Sequence, residues 1–315
     1  MLTRRQIRVK VVQAVYAQYN GNALSLNDGA NAIQRSCHDM GLLYFTHLAL
    51  FKALWEFASE QNKIQTSQRR SDTPLNSHYP KIEELGPLAT IAKHPFLKQK
   101  IAQNKITIWE LEFDYVRILF EKIVASELYK KYNEINTPSF KVQQKFLVEL
   151  FRDVIAPDDR LYRYIEDLDM QWVDDLPVVN TYLLKQLRKL RDADQSSLNF
   201  PNIAEKEEDI AFGKTLYEKV ITNEESLQKE FEGKTPNWDK DRIATLDSLL
   251  IKIALAELIY FPEIPPKVTL NEYLEIAKEY STPKSNQFIN GVLDSLVKSY
   301  IKDNKMQKQG RGLLE

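Results

Sequence analysis

The chain has 315 residues with 43 Lys and Arg against 44 Asp and Glu, a formal charge of −1. Any contact with nucleic acid must therefore come from a local patch, not from the field of the whole molecule. An apolar fraction of 43% excludes a mainly disordered chain, and one cysteine, Cys37, excludes an intrachain disulfide and fits a reducing compartment.

Residues 3–19 read as one amphipathic helix. Ile7, Val11, Ala14 and Gln18 lie on one side, and Arg4, Arg5 and Arg8 share another. Three like charges on one face repel each other, which is tolerable when solvated and useful when a phosphate chain lies across them. The opening "TRRQIRV" touches on a twin-arginine export signal, but Lys10, Gln13 and Gln18 break the apolar core such a signal needs. After the polar break "NGNALSLNDG" a helical pattern runs from Ala30 to about Asn62. Residues 61–80 have loop composition, with Arg69-Arg70 read as a solvated pair, RNA contact being the alternative. Residues 81–103 are weakly helical and 106–133 strongly so, through Ile108, Leu111, Tyr115, Ile118, Leu119 and Ile123. Thr137-Pro138 opens a helix running to about Ile155, and two more segments near 158–168 and 179–192 lead to "RDADQSSLNFPN".

From Glu205, acidic residues crowd the first turn of another helix, where its dipole favours them. A loop at "EGKTPN" precedes a helix over Leu246–Tyr260, stopped by Pro262, Pro265 and Pro266. Thr269 followed by Glu272 has the spacing of a capping box. Thr282 followed by Pro283 is a second helix start, with Thr as the cap and Pro where no N–H is needed. Gly291 sits inside that last helix at a cost of roughly 1 kcal/mol against Ala. Its compensation is the close approach of a helix or of a ligand at Asn290-Gly291, or plain relief of crowding. The tail 302–315 has no period and is expected to be flexible. Strand alternation is absent and glycines number nine, so the fold class is all-α.

Enzyme signatures are missing. His38, His47, His78 and His94 lack metal-ligand spacing, and Cys37-His38 lacks further ligands. There is no Walker loop and no G-x-G-x-x-G, while Glu112 and Asp114 do not share a helical face. No cofactor is expected, and no stretch approaches the ~20 apolar residues of a membrane helix.

The run "IPPKVTLNEYLEIAKEYSTPKSNQFINGVLD" resembles the closing signature of the transcription antitermination factor NusB family. Pro266, Lys267, Val268, Asn271, Glu272, Ile276, Ala277 and Lys278 stand in register with it, followed by Phe288, Ile289, Asn290, Gly291, Val292, Leu293 and Asp294. "LDSLLIKIALAELI" is similar to an upstream helix of the family, and "TRRQIRVKVVQAVYAQY" to its arginine-rich opening helix. Family members are usually about half this length. The resemblance implies a fold of two small packed helical bundles, built here from 1–20 and 200–301. Residues 21–199 would then be an enlarged helical insertion, with part of 139–155 a candidate for one of the core helices. Closing so long a loop costs little, about 0.6 kcal/mol per doubling.

The resemblance also implies a function, in the cytoplasm. NusB proteins bind boxA-type RNA of ribosomal leaders together with NusE, a small-subunit ribosomal protein, and join RNA polymerase in an antitermination complex. By position, Arg4, Arg5 and Arg8 would meet phosphates, with Gln13 and Tyr16 beyond them. Phe288 would stack on a base, Asn290 would read a base edge and Lys284 would add charge. Lys267, Asn271 and Glu272 would face NusE. The arginines and the Asn290-Gly291 region are expected to share one positive groove. Gln6 departs from the family pattern, falling where many relatives are basic, and each phosphate left without a cation lowers the salt slope by about 0.7. Two other classes compete. An RNA cytosine methyltransferase fused to such a domain would need a Gly-rich loop, strands and more cysteines. A helical protein–protein scaffold would have given up RNA binding. The middle segment could thicken the bundle, form a homodimer interface or replace another factor.

Overall fold

The computed structural model describes residues 2–21, 25–68, 82–192, 198, 200, 207–232, 244–303 and 305–313. Fifteen α-helices and no β-strand occur among them. The expected loop around Arg69-Arg70, the "EGKTPN" loop and Glu205 lie outside the described residues.

Two compact units divide the chain, one of His38–Pro201 and one of Leu2–Cys37 with Asn202–Glu315. In the discontinuous unit, α1 (Arg4–Asn20) is capped by Thr3. The Gln6 N–H donates to Thr3 Oγ1 while the Thr3 N–H donates to Gln6 Oε1 at 3.2 Å. Gln6 is thus the third-position partner of a reciprocal cap, a role its place among arginines conceals. Helix α1 packs on α11 (Glu207–Thr222) and α13 (Thr245–Tyr260). α13 in turn packs on α12 (Glu224–Glu232), α14 (Pro266–Tyr280) and α15 (Pro283–Lys302).

α13 is the hub. Leu249, Leu250, Ile251, Ile253, Ala254, Leu255, Ala256 and Leu258 are all buried, so every side of the helix meets protein. At Gly213 on α11 an added Cβ would stand 2.5 Å from Ile7 Cγ2, so this glycine lets α1 approach closely. α15 begins as its sequence predicts, with the Ser285 N–H donating to Thr282 Oγ1 at 3.1 Å and Pro283 in the first turn. α14 does not begin as predicted. Its cap is Pro265, its first residue Pro266, and Thr269 lies inside the first turns with its hydroxyl turned to Glu257. The tail, expected to be flexible, lies against the α13–α14 turn over 305–313. The Gln309 N–H donates to Pro262 O at 3.0 Å and Lys308 Nζ to Phe261 O at 3.0 Å. Both acceptors lie just past the end of α13, at its C-cap Phe261 and the proline that follows.

The other unit is organised around α2 (Leu26–Gln68), a single helix of 43 residues and longer than its apolar period suggests. Its part from His38 onward carries Phe51 against Phe151 and Phe57 against Phe120, at ring separations of 5.7 and 5.0 Å. The strong pattern over 106–133 is three helices, α5 (Ile108–Leu111), α6 (Phe113–Ala125) and α7 (Glu127–Asn133). Ser126 makes the last break by capping α7 through the Tyr129 N–H. α8 (Phe140–Leu150) runs into a π turn over Phe151–Ile155. Asp158 caps α9 (Asp159–Leu168) and accepts from Lys122 Nζ at 2.7 Å and Tyr115 OH at 3.2 Å. Helices α3 (Gly86–Ala92), α4 (Pro95–Gln103) and α10 (Trp172–Leu187) complete the unit.

Candidate nucleic-acid interface

The three arginines of α1 differ in what they touch. Arg8 is 2% exposed, not on the open face with its neighbours. Its position next to Ile7 puts it at the edge of the apolar stripe of Ile7, Val11, Val12 and Val15. Its Nε donates to Glu257 Oε2 at 2.8 Å and its NH2 to Oε1 at 2.7 Å, a bidentate pair. Glu257 is wholly buried and accepts two more bonds, from Thr269 Oγ1 at 2.8 Å and Tyr273 OH at 3.1 Å. Burial alone would lower the Arg8 pKa. The bonds and charge of Glu257, with Tyr273 and Glu272 behind them, outweigh it and raise the pKa. Burial first, then the Glu257 charge, pushes the Tyr273 phenol well above its ordinary value, so it stays a donor.

Arg5 and Arg4 are accessible, with side chains 41% and 51% exposed. Arg5 forms its own bidentate pair with Glu272, at 3.0 Å from Nε and 2.9 Å from NH2. The hydrogen bond to Glu272, ahead of a smaller burial effect, raises the Arg5 pKa. Arg4 Nε donates to Asp209 at 2.8 Å. The Arg4 and Arg8 guanidinium carbons lie 5.3 and 5.2 Å from the centre of the Phe212 ring, within cation–π range.

These groups frame an open concavity of about 630 Å³, with Arg4, Arg5 and Arg8 on one side and Glu263, Pro265, Val268 and Glu272 on the other. The structure thus joins the arginines to Glu272, which the family resemblance assigns to a partner surface. Lys284, Phe288 and Asn290 do not line it. The single positive groove expected to hold both sets is not what the concavity forms. Along α15, Lys284 and Asn290 are exposed and Phe288 half-buried. Nothing stands within 4 Å of a Cβ added at Gly291, so close helix packing does not account for that glycine. Lys267 and Asn271 are exposed on α14, Tyr16 is 47% exposed and Gln13 is half-buried. Sequence reasoning missed Glu257, Thr269, Tyr273 and Asp209. One signal was present, a lone carboxylate inside the apolar run "LLIKIALAELIY", which must find a cation once the helix is buried.

Among the described residues no group of three or more His, Cys, Asp or Glu could hold a metal ion. No described helix is long and apolar enough to cross a membrane.

A family profile described as "NusB family" matches residues 179–298. That range holds Lys267, Asn271, Glu272, Lys284, Phe288 and Asn290 but not Arg4, Arg5, Arg8, Gln13 or Tyr16. It begins at 179, ahead of the boundary near 200 expected from the sequence. The chain is 39% identical over 103 residues to "Transcription antitermination protein NusB" of Salinibacter ruber, covering 33% of this chain and 64% of the relative. It is 39% identical over 100 residues to the protein of that name from Chloroherpeton thalassium, covering 32% and 47%. With that of Methylacidiphilum infernorum it shares 38% over 80 residues, covering 25% and 56%. The chain thus spans between about half and two thirds of the length of these relatives. No solved structure matches it. Over residues 179–298 the chain is thus similar to the NusB family.

Proposed function

We propose that the chain is a transcription antitermination factor, a binding protein and not an enzyme. In this reading it holds boxA-type single-stranded RNA together with NusE, in the cytoplasm, as part of an RNA polymerase complex. In this reading the RNA-binding fold is built from 1–20 and 200–301, and 21–199 is an enlarged helical insertion whose end, from 179, falls within the family match. The observation that carries the reading is the N-terminal half of α15. Within the family match Lys284 and Phe288 stand one turn apart, while Asn290, two residues on, projects from another side of the helix beside a glycine with open space over it. A cation, a ring and an amide suit phosphate, base face and base edge in turn. Arg4 and Arg5 offer further phosphate contacts, and Arg8 supports the helix that carries them.

Fluorescence anisotropy of a labelled boxA-type RNA, with and without NusE, tests this. Phe288→Ala should weaken binding by about 1–3 kcal/mol if the ring stacks on a base. Unchanged affinity in both Phe288→Ala and Asn290→Ala would overturn the assignment of these two side chains. A second reading, a protein scaffold that does not touch RNA, is favoured by one feature: each arginine of the α1 cluster already has a carboxylate. No retention of RNA by the purified chain, alone or with NusE, would select it.

A further inference from the structure

Three arginines meet three carboxylates at the mouth of the α1–α14 concavity. Arg8 is tied to Glu257, Arg5 to Glu272 and Arg4 to Asp209, so the cluster carries no net charge. The Arg8–Glu257 pair is buried and cannot exchange. Glu272 is 20% exposed and Asp209 21%, each facing an arginine that is itself open to solvent. A phosphate oxygen seeking the Nε–NH2 edge of Arg5 finds it already donating to Glu272.

We infer that Glu272 is a built-in competitor of RNA phosphate for Arg5, with Asp209 in the same role at Arg4, so that these two carboxylates set RNA affinity. The inference rests on the RNA-binding reading above. The ion exchange it describes replaces one charge-assisted bidentate partner of Arg5 by another of the same kind, carboxylate by phosphate. It also accounts for a cluster that is arginine-rich in sequence and neutral in structure.

The test uses the full chain and a short 5′-fluorescein-labelled boxA-type RNA, titrated at several salt concentrations without a partner. Glu272→Gln should bind about threefold to fivefold more tightly. It should also steepen the salt slope by about 0.7, as expected when one more unneutralised cation meets the strand. Arg5→Gln should weaken binding, and in that background Glu272→Gln should change nothing, which identifies the gain as passing through Arg5. Asp209→Asn should behave in the same way toward Arg4→Gln. Binding equal to or weaker than wild type in Glu272→Gln, with Arg5→Gln still impaired, would make Glu272 a positioning residue and overturn the inference alone. Insensitivity of RNA binding to Arg5→Gln, Glu272→Gln and Lys284→Gln together would overturn the RNA-binding reading, and the inference with it.

Discussion

Glu257→Gln is the substitution with the most to say about the α1 helix. Glu257 is wholly buried and accepts four hydrogen bonds, two from Arg8, one from Thr269 and one from Tyr273. An amide keeps the size, loses the charge and offers a single acceptor oxygen. The Arg8 guanidinium would then be a buried cation with only Glu272 near it, 3.7 Å away. Breaking a buried pair from one side costs about 3–5 kcal/mol, most of it the uncompensated charge. Urea unfolding followed by circular dichroism should show this destabilisation, and hydrogen exchange should place it in α1, α13 and α14. Removing both charges in Arg8→Met with Glu257→Leu should recover part of it, since apolar side chains can replace a buried pair, while the buried Thr269 and Tyr273 hydroxyls lose their acceptor and keep the rest. The double variant should also still bind RNA if Arg8 supports the helix instead of meeting phosphate. A Glu257→Gln protein within about 1 kcal/mol of wild type, or a double variant no better than the single one, would refute the reasoning.

The two helix glycines should respond in opposite directions to alanine. Gly291→Ala should stabilise by up to about 1 kcal/mol, since a Cβ there meets nothing. Gly213→Ala should destabilise by about 1–3 kcal/mol through crowding against Ile7. Thermal melts separate the two, and a stable Gly213→Ala would mean that α1 can move outward freely. His47 should make the other unit acid-sensitive. Burial moves its pKa from 6.5 down to about 4, against a smaller opposing effect of its bond to Leu43 O. Below pH 6.5 the unfolded chain takes up a proton that the folded one refuses. Stability should therefore fall from pH 6.5 toward 4 by about 3 kcal/mol in all. His47→Leu should flatten that limb of the urea-midpoint profile, and an unaltered slope would show that another group causes it.

How much was legible follows from how local each cause is. The Thr282-Pro283 start is written in adjacent residues, and α15 begins there. The all-α class follows from periods that run through the chain. Ser126 was harder to see. The apolar period continues across it, and only the cap it makes to the Tyr129 N–H breaks the helix. The Thr269–Glu272 spacing fitted a capping box, yet Pro266 had already started the helix, and both side chains were claimed by partners distant in sequence. Arg8 shows the limit most clearly. Its i+4 and i+3 spacing to Arg4 and Arg5 is real, but which edge of the face sinks into the core is decided by Glu257, 249 positions away.

That sorting changes what an arginine-rich helix means here. Counted as letters, three arginines make a strong cation. Counted with their carboxylates, they make a neutral cluster with one fixed member and two exposed ones. Since the whole chain carries −1, no background positive field compensates. In the proposed reading, affinity for a polyanion at this face depends on how readily Glu272 and Asp209 let go of Arg5 and Arg4. A substitution at Arg8 alone therefore cannot report on phosphate binding, because it disturbs the helix that presents Arg4 and Arg5 before it disturbs any ligand; only a variant that removes Glu257 with it can.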